Sequence, residues 1–186
     1  LIVAHEVTNV RSHRDQLSSM AKQAREAIGS ETLSVVADRG YFKGEEILAC
    51  YDANITAYLP KPMTSGAKAD GRFNKDAFVH DVTKNEYICP AGEALIWRFS
   101  SVEKGMKLHC YWSSNCQNCT LQTQCTPSKP RRARRWEHEA VLEEMQNRLS
   151  NAPEMMRIRK RTVEYPFGTL KQWMGATYFL TQSLTG

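Results

Sequence analysis

Cys110, Cys116, Cys119 and Cys125 follow one another as C-x5-C-x2-C-x5-C, with Cys89 upstream and Cys50 further off. Cys116-x-x-Cys119 has the spacing of half a zinc site, two thiols offered from one tight turn. Thiolates suit Zn²⁺ or an iron–sulfur cluster. Four ligands must be drawn from at least five cysteines and His109, and the favoured set is Cys89, Cys116, Cys119 and Cys125. The competing reading is free thiols in a reducing compartment. Cys50 falls in a helical stretch and reads as core.

Two carboxylates stand out. Asp38 ends the run Leu33-Ser-Val-Val-Ala-Asp38, and ligands of open α/β sheets bind at the carboxyl ends of strands. The bland alternative is an Asp that caps the next helix. Glu164 lies in Arg161-Thr-Val-Glu-Tyr-Pro-Phe-Gly-Thr-Leu-Lys171. On a continuous helix Lys160, Glu164 and Lys171 share one face, where a plain surface salt bridge is the competing reading. Pro166 removes a backbone donor to Thr162, so the helix either begins near it or kinks.

Cations surround these residues. Lys129-Pro-Arg-Arg-Ala-Arg-Arg135 carries Arg131, Arg132, Arg134 and Arg135 besides Lys129, and Arg157, Arg159, Lys160 and Arg161 form a second cluster. Such charge neutralises phosphates without reading base sequence. Trp136 follows the first run and reads as a core residue of a helix or a base-stacking ring.

The elements that must position these residues alternate at first. Leu1–Thr8 is rich in β-branched residues and predicts a strand holding a structural His5. Helical spacing follows over Gln16–Ile28, then a strand over Leu33–Asp38, a helix over Gly44–Asn54 and a strand over Ile55–Leu59. Strand–helix–strand order implies parallel pairing. Past Pro60-Lys-Pro62 the chain turns rich in Gly, Ser, Asn and Cys, which predicts short strands and turns. Trp136, Ala140, Val141, Met145 and Leu149 then recur at helical spacing, and a last helical region runs from about Ala152 to Leu180. The expected layout is an α/β segment 1–62, a Cys-rich insertion 63–135, and a helical segment 136–186 completing the core.

Composition narrows the class. With 41% hydrophobic and 24% charged residues, the chain is ordinary globular material rather than a disordered one. No apolar run approaches the roughly 18 residues of a membrane span, and no signal segment opens the sequence. It starts at Leu1 inside an apolar run, which reads as a fragment cut within a fold. Residues 1–128 hold 14 Lys/Arg against 14 Asp/Glu, whereas residues 129–173 hold 11 against 6. The whole excess of +5 sits in that second stretch and favours a polyanion as partner.

Val35-Val-Ala-Asp-Arg-Gly-Tyr-Phe42 with Gly44-Glu-Glu-Ile-Leu48, and Thr162-Val-Glu-Tyr-Pro-Phe-Gly-Thr-Leu-Lys171, together resemble the DDE transposases of bacterial insertion sequences. Leu59-Pro-Lys-Pro62, Cys89-Pro-Ala-Gly92 and Arg135-Trp-Glu-His138 extend the likeness over nearly the whole chain. The resemblance implies an RNase H-like catalytic core, N-terminally truncated here and interrupted by the Cys-rich insertion. It implies three carboxylates holding two Mg²⁺ (or Mn²⁺) ions, hydrolysis at transposon ends, and strand transfer by the freed 3′-hydroxyl. Asp38 matches the second Asp and Glu164 the Glu. Lys171 matches the basic residue seven positions after the Glu, and Lys160 stands where the related signature has Arg. Arg157 stands where that signature has Tyr, and the first Asp of the family lies before this chain begins. An incomplete chain of this kind is expected to be inert or nearly so. The expected partners are transposon-end and target DNA, with a homodimer compatible and no membrane, in the cytoplasm at the bacterial nucleoid. Lys160, Arg161 and Lys171 would contact phosphates, and the Arg131–Arg135 run would hold flanking DNA. The alternative of a different class is a non-catalytic, zinc-dependent DNA-binding module.

Overall fold

The computed structural model describes residues 2–7, 9, 13–63, 66–173 and 175, the side chains of residues 164–167 and 170 excepted. The chain forms two compact units, one of Leu1–Pro62 with Ala140–Gly186 and one of Met63–Glu139.

In the first unit, helix α1 (Leu17–Ile28) ends at Gly29, whose φ of +69° closes its N–H onto the carbonyls of Arg25 and Glu26. A left-handed residue there suits glycine, which has no Cβ to clash. Strand β1 (Leu33–Val36) pairs in parallel with β2 (Ile55–Tyr58), from Leu33 opposite Ile55 to Val36 opposite Tyr58. Helix α2 (Gly44–Asp52) makes the crossover between them. Leu17 and Ala21 of α1 pack with Ile47, Cys50, Ile55, Ala57 and Leu59. Helix α4 (Glu139–Asn151) sends Met145 into that core, and Gln146 Nε2 donates to the Leu59 carbonyl at 2.8 Å. Each buried Leu, Ile or Met contributes about 1.5–3 kcal/mol. Ser18 ties α1 to α2, its N–H and hydroxyl both donating to Glu46 Oε2 at 2.9 and 2.7 Å.

Two expectations are corrected here. Residues 2–7 form no strand, and Ile2, Val7 and His5 are exposed. β-branched residues favour extended backbone, but a strand also needs a ladder, and none of the described strands pairs with this segment. The run from Lys160 to Lys171 is not one continuous α-helix. Helix α5 (Glu154–Arg159) opens into a π turn over Lys160–Glu164, followed by α6 (Tyr165–Gln172). Pro166 is the second residue of α6, just past the π turn; its missing N–H leaves the helical ladder short of a bond, and a π turn is one of the irregularities that go with such a break. The wider π turn resets the helical phase, so the shared-face arithmetic of Lys160, Glu164 and Lys171 does not carry across it.

The second unit is a five-stranded antiparallel sheet in the order β3 (Val79–Asp81), β4 (Glu86–Ile88), β5 (Ala94–Glu103), β6 (Met106–Trp112) and β7 (Ala133–Trp136). Lys104 and Gly105, at φ +52° and +82°, make the two-residue turn between β5 and β6; paired positive φ values match the twist of a tight hairpin. Phe78, Tyr87, Leu95, Tyr111 and Ala133 form this unit's core. Tyr87 and Tyr111 meet edge to face at 5.3 Å, and the Tyr111 hydroxyl donates to Asn85 Oδ1 at 2.8 Å. Between β6 and β7 lie a 3₁₀ turn (Ser114–Asn118) and the short helix α3 (Gln122–Cys125).

Trp136 thus ends a strand rather than opening a helix. Strand pairing opposite Leu108 buries it, and its ring packs against His138. Among the described residues no helix is long and apolar enough to cross a membrane.

Candidate functional site

Asp38 follows β1 directly. Its backbone is extended, and its Oδ1 accepts from the Gly40 N–H at 2.7 Å, capping the 3₁₀ turn Arg39–Tyr41. The capping role and an exposed position for the carboxylate coexist. A Cβ built on Gly40 would stand 2.9 Å from Asp38 Oδ1. Gly40 is therefore a positioning residue: a Cβ there would press on the carboxylate and turn it from its present rotamer. A Gly two places after an Asp is the sequence signal for it.

Asp38 lines an open cleft of about 360 Å³ in the first unit. Leu17 and Met20 of α1 form one wall, and Arg159 and Val163 approach from α5 and the π turn. Val163 immediately precedes Glu164, so the backbone carrying the second carboxylate reaches the same cleft. The Glu164 side chain itself lies outside the described residues. Arg159 was legible in the sequence only as one cation of a cluster; its place in the cleft comes from the packing of α5 near β1. Lys160, Arg161 and Lys171 are exposed.

The cysteines separate into two kinds. Cys50 and Cys110 are buried, and burial, reinforced by nearby Glu46, pushes the Cys50 thiol up to about 11. Cys89, Cys116, Cys119 and Cys125 instead line one small cavity of about 30 Å³. The Cys125 thiol is pushed up first by burial and also by the other three cysteines, whereas Arg131 pulls it down. His109 points elsewhere, its Nδ1 2.7 Å from the Ser100 hydroxyl. As the side chains stand, no three His, Cys, Asp or Glu among the described residues are arranged to hold a metal ion.

The basic run is split by the strand it forms. Arg134 faces out and pairs with Glu103, Nη1 at 2.9 Å from both carboxylate oxygens. Arg135, on the opposite face, is only 8% exposed, and its Nη1 donates to the Tyr87 hydroxyl at 3.4 Å. Arg131 donates to the Cys125 carbonyl at 3.3 Å and lies over the Phe78 ring. Arg132 is exposed and, with Arg98, lies 5.4 Å from the ring centre of Trp112. Five adjacent cations do not make one basic face, because alternate strand residues point to opposite sides. Trp112, which nothing in its local sequence singles out, is the ring on which two of the arginines stack.

A family model described as a transposase DDE domain matches residues 88–184. The chain belongs to that family. The match covers just over half the sequence, taking in the cysteine cavity, the basic strand and Glu164, while Asp38 lies before it. No curated protein and no solved structure matches the chain. Transposases act on DNA, and divalent ions such as Mg²⁺ are general to the DDE transposase family. The donor chemistry at Asp38 fits such an ion, since Mg²⁺ prefers carboxylate oxygens. Among the described residues no further carboxylate joins Asp38 in a group of three, so it would be one ligand of a site that needs others.

Proposed function

We propose that this DDE transposase domain cuts and rejoins DNA at the ends of a bacterial insertion sequence, with Asp38 and Glu164 as metal ligands on an RNase H-like core. The observation that supports it most is the cleft shared by Asp38, Arg159 and Val163, which brings the strand end and the Glu164-bearing turn to one place. Two divalent ions, when bound, supply an activated nucleophile and a stabilised leaving oxygen for phosphodiester exchange. The chain's own contributions are orientation and charge. The Gly40 N–H holds the Asp38 carboxylate in one rotamer, and Arg159 sets a positive charge in the cleft that receives a phosphate. Exposed Lys160, Arg161 and Lys171 hold the flanking backbone by charge alone.

The test separates metal binding from activity. Mn²⁺ titrated into isotopically labelled protein should broaden amide resonances around Asp38 and Glu164 together, and Asp38→Asn should relieve both. Broadening around only one of them, or around neither, would sink the assignment.

The cysteine cavity and the basic strand lie in one unit, and this favours a second reading, a non-catalytic metal-dependent DNA-binding module. DNA binding that survives Asp38→Asn and Glu164→Gln, with no Mn²⁺ effect at either carboxylate, is its signature.

A further inference from the structure

We propose that Cys89, Cys116, Cys119 and Cys125 hold a single Zn²⁺ as four thiolates, and that this ion pins the loop leading into the basic strand β7. Four of the six cysteines share a cavity, Cys89 and Cys125 among them also packing against the core, while Cys50 and Cys110 are buried elsewhere. Each of the four is offered from a turn. Cys89 opens the turn Cys89-Pro-Ala-Gly92, where the Gly92 N–H donates to the Cys89 carbonyl at 2.8 Å. Cys116 lies within the 3₁₀ turn and Cys119 caps its end, and Cys125 closes α3.

The cavity's size selects the ligand. About 30 Å³ is space enough for an ion or one or two waters. As the side chains stand the four thiols are not grouped around an ion, so binding requires them to turn about χ1, the single torsion that moves each sulfur. The balance is simple: one Zn²⁺ enters, four thiol protons leave, and no electron moves, so the centre carries a net charge of −2.

Arg131 supplies countercharge. It lines the same cavity, donates to the Cys125 carbonyl and rests on Phe78. It is thereby a positioning residue for the thiolate centre rather than a phosphate contact. The need is physical as well. Among the described residues this unit's core cluster has five buried members, and small cores commonly depend on a metal or disulfide staple. The loop from β6 to β7 meets the rest of the unit through contacts such as the Phe73 N–H donating to the Gln124 carbonyl at 2.9 Å and Arg98 donating to the Ser114 hydroxyl at 3.0 Å, and the ion would add a covalent tie to these.

The inference is independent of the catalytic reading, because its readout involves no DNA. The chain, purified without chelator, should contain about one zinc. A mercurial reagent should release that zinc as it titrates four thiols. Replacement by Co²⁺ should give the charge-transfer absorption of a tetrathiolate site. Cys50→Ala should keep the metal, and Cys119→Ser should lower it at least tenfold. Should Cys119→Ser fail to fold, the wild-type titration and the Co²⁺ spectrum still decide. Chelation should speed tryptic cleavage after Arg131 and Arg132 by about tenfold or more, as expected of a loop released from local structure. Metal-free protein with four freely reactive thiols would overturn the proposal, as would an iron–sulfur chromophore or a disulfide among the four. Unchanged tryptic cleavage on chelation would overturn the pinning of the loop.

Discussion

The cleft at Asp38 and the cavity at Cys125 are built in opposite ways. The cavity draws all four thiols from residues 89–125, each set by a turn within a few positions of it. The cleft joins a strand end near residue 38 to a π turn more than a hundred positions later. The cavity is small, apolar and lined in part by four thiols, whereas the cleft is larger and presents an exposed carboxylate. A site assembled by local turns can be read from spacing. A site assembled by long-range packing can be read only as residue types awaiting a fold, because its geometry depends on how distant elements dock.

The largest expected effect would break the cleft's half of this contrast. Asp38→Asn or Glu164→Gln should cost more in Mn²⁺-dependent DNA cleavage than the ~10–100-fold typical of residues that merely support a metal ligand. Parallel losses in the two variants, measured on supercoiled plasmid, fit one shared site, and cleavage that persists in either removes that residue from it.

Next in size is Gly40→Ala. Its methyl group would press on Asp38 Oδ1 and turn the carboxylate, lowering cleavage by roughly 10–100-fold, since misplacement of about 1 Å is costly in catalysis. Mn²⁺ affinity should fall with it while thermal stability changes little. An equal loss of folding would make Gly40 a structural residue only.

A third measurement concerns the strand beside the cavity. Arg135 is buried and Arg131 is engaged at Cys125, which leaves Lys129, Arg132 and Arg134 to meet phosphate from this run. With about three contacts, their share of the log–log salt dependence of DNA affinity is about −2.7. Reversing Arg132 and Arg134 to Glu should reduce the slope by roughly two contacts' worth. If Arg135→Gln reduces it as much in folded protein, the division of the run by strand alternation is wrong.

Smaller still is a pH effect that sets the core thiol apart from those of the cavity. Burial raises Cys50 from 9.0 to about 11. The unfolded chain then loses this proton first, so the contribution to stability is complete below pH 9 and is lost as pH climbs towards 11. Unfolding midpoints should fall over that window, and Cys50→Ala should flatten part of the fall. A Cys50 thiol that alkylates readily at neutral pH in native protein would contradict its burial. Smallest of all is Glu103→Gln, which breaks an exposed pair with Arg134. Stability should change by less than about 1 kcal/mol, while DNA affinity rises slightly as Arg134 is released.

What the sequence alone determined follows from short-range rules. The period of Leu17, Met20, Ala21 and Ala24 specifies α1, Gly29 specifies its stop, and the strand–helix–strand order specifies parallel pairing of β1 with β2. The set of four cavity cysteines was also legible, because turn chemistry and C-x-x-C spacing act within a few residues. The motif residues around Asp38 and Glu164 pointed to the DDE transposase family before any geometry. Only the tertiary structure decided the rest. Leu1–Thr8 has the β-branched character of a strand, yet residues 2–7 find no ladder among the described strands. Trp136 has the spacing of a helix, yet pairing opposite Leu108 holds it in β7. Five neighbouring cations read as one patch until pairing with β6 sends Arg134 outward and Arg135 inward. Local sequence sets which backbone shapes are cheap. Which of them persists, and which way each side chain faces, is settled by hydrogen-bond partners and buried surface contributed from far along the chain.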